Sequence, residues 1–142
     1  MHCSASIVVS PPPPPTCTLG ASPTSIIAGD SSTLSWTTTN ATSFSINQSI
    51  GSVTPIASGT KSVSPSGTVT YTGTATGSGG TVQCSTTVTV IPQLTVSCSA
   101  SPASAEVGNP IAWAAFASGG TGSYAYSWTG SDSLAGSSAD VT

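Results

Sequence analysis

The sequence predicts an all-β protein made of tandem β-sandwiches, one complete and one partial, joined by proline-containing linkers. Three observations predict it. No stretch spaces apolar residues at the helical period over three turns, whereas period-two alternation recurs in short runs. Clusters of Gly, Pro, Asn and Ser separate those runs, at a spacing that suits two stacked antiparallel sheets. The chain also repeats itself: Ala21-Ser22-Pro23 and Ala100-Ser101-Pro102 are each followed, six residues after the proline, by Gly29 and Gly108. One module type therefore occurs twice.

Composition narrows the classes further. Of 142 residues only Lys61, Asp30, Glu106, Asp132 and Asp140 are charged, arginine is absent and His2 is the single histidine. An average soluble domain is roughly one quarter charged. Disorder combines high charge with low hydrophobicity, and here 37% of residues are hydrophobic. The 29 Ser and 23 Thr take the solvent-facing positions that Lys and Glu usually hold, and Thr suits a half-buried pleated surface. One lysine cannot neutralise a run of phosphates, so nucleic-acid partners are excluded, as is electrostatic docking on an anionic membrane. No apolar run reaches the roughly 20 residues that span a bilayer.

Taken in order, residues 1–10 lack the basic start and long apolar run of a signal peptide. Either Met1 is not the natural start or the chain is a window of a longer one. Cys3-Ser4-Ala5-Ser6-Ile7-Val8-Val9 parallels Cys84-Ser85-Thr86-Thr87-Val88-Thr89-Val90, so this segment reads as a closing strand belonging to another module. Residues 11–15, five prolines, form a polyproline II linker about 15 Å long. Residues 16–91 hold the complete sandwich. Its strands are marked by the alternations Cys17/Leu19, Leu34/Trp36, Phe44/Ile46, Val69/Tyr71/Gly73/Ala75 and Val82/Cys84/Val88/Val90, the last broken at Thr86. Trp36, Phe44 and Tyr71 fall on inward parities. Residues 92–93 are a short linker, and residues 94–142 restart the module, with Leu34 aligned to Trp113, but without closing strands.

Cys17-Thr18-Leu19-Gly20-Ala21-Ser22-Pro23, Thr33-Leu34-Ser35-Trp36, Thr70-Tyr71-Thr72-Gly73-Thr74 and Cys84-Ser85-Thr86-Thr87-Val88 resemble bacterial extracellular immunoglobulin-like tandem repeats. The second module resembles a PKD-type sandwich, through Val107-Gly108-Asn109-Pro110 and Ser118-Gly119-Gly120 leading to Tyr124-Ala125-Tyr126-Ser127-Trp128, and it departs from that pattern after Trp128. The resemblance implies immunoglobulin-like sandwiches in an extracellular or cell-surface protein. It says little about activity, because such modules serve as spacers, adhesin stalks and appendages of secreted enzymes alike.

Four cysteines in such a chain suggest disulfides. Cys17 on the first strand and Cys84 on the last are expected to bridge. That leaves Cys98, whose module lacks a closing-strand cysteine, and Cys3, a closing-strand cysteine without its module. Two readings stand at this point. The terminal strand of one chain completes the unfinished module of the next, with a Cys3–Cys98 cross-link and a propagating filament; or the chain is cut from a longer array.

Tyr124, Tyr126 and Trp128 share one face and resemble the core strand of the PKD pattern, to be read either as core or as a sugar-stacking platform. Asn40-Ala41-Thr42 and Asn47-Gln48-Ser49 match the glycosylation sequon, so Asn40 and Asn47 are candidate acceptors. No cofactor or metal is expected. Zinc would need cysteine or histidine spacings that are missing, and calcium roughly six to eight oxygen ligands with several carboxylates. Nor is an enzyme expected: hydroxyl nucleophiles lack a base and the carboxylates are never paired. The expected role is a structural repeat module of a secreted or surface protein, a filament subunit, with self-association or neighbouring repeats as partners and glycans as further candidates. The alternatives are a carbohydrate- or protein-binding adhesin module and a non-catalytic appendage of a secreted hydrolase.

Overall fold

The computed structural model describes residues 6–130 and 135–141; Cys3, His2 and Asp132 lie outside them. The described residues form strands and turns with no helix, so no helix among them is long and apolar enough to cross a membrane. The chain divides into two units, Met1–Val90 and Ile91–Thr142.

Unit 1 contains β1 (Thr16–Ser22), β2 (Ser25–Ile27), β3 (Ser32–Thr39), β4 (Ser43–Ile46), β5 (Gly51–Ser52), β6 (Ser58–Val63), β7 (Val69–Gly77) and all but the last residue of β8 (Gly80–Ile91). They make two sheets, β1-β3-β6 and β2-β8-β7-β4-β5. The alternation seen in sequence is the pleat itself. On β3, Ser32, Leu34, Trp36 and Thr38 are buried while Thr33, Ser35, Thr37 and Thr39 are exposed. Leu19, Leu34 and Trp36 from the first sheet meet Ile26, Phe44, Ile46, Tyr71, Ala75 and Val88 from the second in one core. Strand β8 runs unbroken through Thr86, which stays half-buried on the inner parity where the apolar alternation lapses. A hydroxyl tolerates that position because a β-branched side chain fits the pleat as well as valine does.

The polar groups drawn into this core are satisfied. Ser32 Oγ donates to Pro23 O at 2.6 Å, Thr38 Oγ1 to Ile56 O at 3.0 Å and Trp36 Nε1 to Pro55 O at 3.2 Å. Two glycines are required by close approach: a Cβ on Gly59 would collide with the Trp36 indole, and one on Gly73 with the Phe44 ring.

The exposed faces show how a sheet surface manages without charge. Thr16 pairs with Thr39 and Thr18 with Thr37, each at 2.6 Å between hydroxyl oxygens, and Thr70 pairs with Thr87 at 2.8 Å. Directly opposed threonines of this kind stabilise a strand pair by about 0.2–1 kcal/mol each. Lys61, the one basic side chain, stands on the edge strand β6, where a charge discourages pairing with a further strand.

Tyr71 supplies the one clear titration signature of the core. Burial pushes its phenol pKa above the ordinary 10.0. The unfolded chain therefore releases this proton at lower pH than the folded one, so the group's stabilising contribution is complete below pH 10 and declines above it. Urea titrations at pH 9 and pH 11 should show a lower midpoint at the higher pH. Tyr71→Phe should remove most of that difference.

Unit 2 contains β9 (Thr95–Ser101), β10 (Ala112–Ser118), β11 (Trp128–Thr129), β12 (Ala135–Gly136) and β13 (Asp140–Val141), arranged as β13-β10-β9 and a β11-β12 pair. Its larger sheet repeats the first sheet of unit 1 in register. Ala100 pairs with Trp113 as Ala21 pairs with Leu34, and β13 meets β10 at Trp113 as β6 meets β3 at Leu34. One expectation fails here. Tyr124 to Ser127 form no strand, and only Trp128 and Thr129 pair. The glycines just before them explain it. Gly119, Gly120 and Gly122 all have positive φ, and Tyr124 Oη turns back to donate to Gly119 O at 2.8 Å, which closes a local loop in place of a ladder.

Candidate functional site

The two units treat the same sheet face differently. In unit 1 the inner face of β1 and β3 is covered by the second sheet, and Leu19 is only 9% exposed. Counting from the shared proline registers, Cys98 occupies the place of Leu19 and Val96 that of Cys17. In unit 2 that face is covered only in part, by the loop from Gly120 to Trp128. Val96 is 66% exposed, Leu94 60%, and Cys98 is an exposed, unbridged thiol. Ala115 is the one apolar side chain fully buried there.

Beneath this face lies a cavity of about 590 Å³. One wall is Val96, Cys98, Ala115 and Ala117, which share a parity on paired strands. The other is the loop from Gly120 to Trp128, bringing Tyr124, Tyr126 and Trp128 to the same space. Trp128 is held from behind: its Nε1 donates to Ser138 O at 2.8 Å, and its ring lies 6.5 Å from that of Trp113 at a tilt of 57°. Tyr126 and Trp128 are half-buried and Tyr124 is exposed. The lining carries no charged side chain. What the cleft can do is bury apolar or flat surface and form a bond through one thiol.

Sequence reasoning treated Cys98 and the three aromatics as separate candidates; the fold sets them around one cavity. It passed over Leu94 and Val96, although their parity with Cys98 was visible.

The remaining candidates lie in unit 1. Cys17 and Cys84 are disulfide-bonded, with Cα atoms 5.9 Å apart and a separation of 67 positions in sequence. The bond joins opposite sheets: β1 is an edge strand of one, and β8 lies one strand in from the edge of the other. First and last strands are thus neighbours across the sandwich, not along a sheet. Asn40, at φ +54° in the left-handed region that asparagine tolerates, donates from Nδ2 to Pro14 O at 3.2 Å. Asn47 accepts the Thr72 N–H at Oδ1 at 2.9 Å. Both are exposed on turns flanking β4. Cys3 lies outside the described residues.

No family model, curated protein or solved structure matches the chain.

Proposed function

We propose that this chain is a structural, non-enzymatic repeat module of a secreted or cell-surface protein, built from immunoglobulin-like sandwiches and assembled by strand complementation into an extracellular filament. The observation that carries this reading is the partly covered inner face of β9 and β10, with Leu94, Val96 and Cys98 exposed along the open edge strand β9. An apolar sheet face with open edges is a template for another strand. Sheets ordered β1-β3-β6 and β2-β8-β7-β4-β5, with the chain switching sheets between β1 and β2, support the immunoglobulin-like reading of unit 1. A disulfide in an all-β chain of low charge supports an extracellular site of action.

Negative-stain microscopy of the 142-residue chain at high concentration tests the proposal. Linear polymers are expected, and dispersed single particles would overturn it.

The three aromatics at the cleft favour a second reading, a carbohydrate-binding adhesin module, since flat rings stack on sugar faces. Glycan binding that disappears in Trp128→Ala would establish that reading in place of the first.

A further inference from the structure

We infer that the cleft of unit 2 receives residues 3–9 of a second copy of this chain, with Cys3 of the donor bonded to Cys98 of the acceptor. The inference rests on the assembly reading above and specifies its occupant and register.

The donor end is prepared for this. Ile7, Val8 and Val9 are 88%, 92% and 85% exposed, the longest run of unburied aliphatic side chains in unit 1. They are held off the sandwich by the proline rod, whose far end is clamped: Asn40 Nδ2 bonds Pro14 O, Pro15 is buried, and Gly79 leaves room for the Pro13 carbonyl where a Cβ would collide. A polyproline II segment is stiff, so the arm is presented and not coiled back.

The chain carries its own template for the docked strand. In unit 1, Cys84 of β8 is bonded to Cys17 of β1, and Val88, four residues later, lies at 0% exposure in the core shared with Leu19 and Leu34. Cys3 is likewise followed four residues later by Ile7. Alternation then turns Cys3, Ala5, Ile7 and Val9 toward the acceptor together. Cys98 stands two residues along from the position equivalent to Cys17. A shift of two keeps the same side chains facing inward, so the donor slides by one pleat and the pattern is preserved. Neither residues 3–9 nor the lining of the cleft contains a charge that docking would have to desolvate.

The bond forms by exchange. The Cys98 thiolate attacks the Cys3 sulfur of a mixed disulfide between Cys3 and a small thiol such as glutathione. The Cys98–Cys3 bond forms as the mixed disulfide breaks, and the small thiol leaves with the electron pair and takes up a proton, replacing the one lost by Cys98.

The test uses the 142-residue chain carrying Cys3→Ser and a synthetic peptide of residues 1–10 activated as that mixed disulfide. Cys98 should be labelled about tenfold or more faster than by the same peptide with Ile7→Asp, the difference set by burial of one aliphatic side chain. Equal rates would mean that an exposed thiol reacts with any partner, and would overturn the inference. So would an oligosaccharide that shields Cys98 from the peptide. In the unsubstituted chain under non-reducing conditions, peptide mapping should find Cys3–Cys98 in bands of two or more copies; the same bond inside a single copy would overturn the assignment to a second one. Polymers seen without selective labelling leave the assembly reading and remove this one. Selective labelling with dispersed particles does the reverse.

Discussion

Replacing Cys17 and Cys84 together by alanine should destabilise unit 1 by about 4 kcal/mol. The bridge closes a loop spanning 67 residues of sequence. In the chain-entropy treatment a loop of that length raises the free energy of the unfolded state by about this much. Small domains have a total stability of about 5–15 kcal/mol, so the variant is expected to be marginal at 37 °C. A midpoint depressed by tens of degrees in thermal unfolding is the expected reading. A loss below about 1 kcal/mol would show that the two sheets hold β1 and β8 together without the bond.

Phe44→Ala should cost about as much, roughly 3–5 kcal/mol, for a different reason. The ring is 1% exposed, sits 6.1 Å from the Trp36 ring, and fills space that Gly73 leaves by having no side chain. Neither neighbour can collapse into the void: the indole is tethered through Nε1 to Pro55 O, and the glycine has nothing to move. The cavity therefore persists, and persistent cavities are the costly ones. Denaturant unfolding at neutral pH measures this directly. The two changes should not add, because Cys84 Sγ lies 3.9 Å from Gly73 O, on the residue that also faces Phe44. A double-mutant cycle should report a coupling of about 0.5 kcal/mol or more.

Much of unit 1 was legible in advance, because a half-buried strand writes its facing into every second residue. Leu34 and Trp36 on β3, Phe44 and Ile46 on β4, and Tyr71 and Ala75 on β7 are buried on the parities the sequence shows. The cysteine pair was legible through its place on the first and last strands. Residues 123–127 misled, since Tyr124 and Tyr126 alternate as a strand would, while three glycines of positive φ just before them redirect the backbone. Local alternation says which side chains share a face. It does not say that a ladder partner exists.

The all-β character, the repeated module and the inward residues of each strand follow from local periodicity and turn chemistry. The partition of strands between sheets was decided by tertiary structure alone. So was the crossing of the Cys17–Cys84 bond between them, and the gathering of Cys98 with Val96, Tyr124 and Trp128 around a partly covered face. The physical reason is that coverage is a property of a second layer: whether an apolar face is core or docking surface depends on which strands lie over it, and a strand's own residues do not encode its cover.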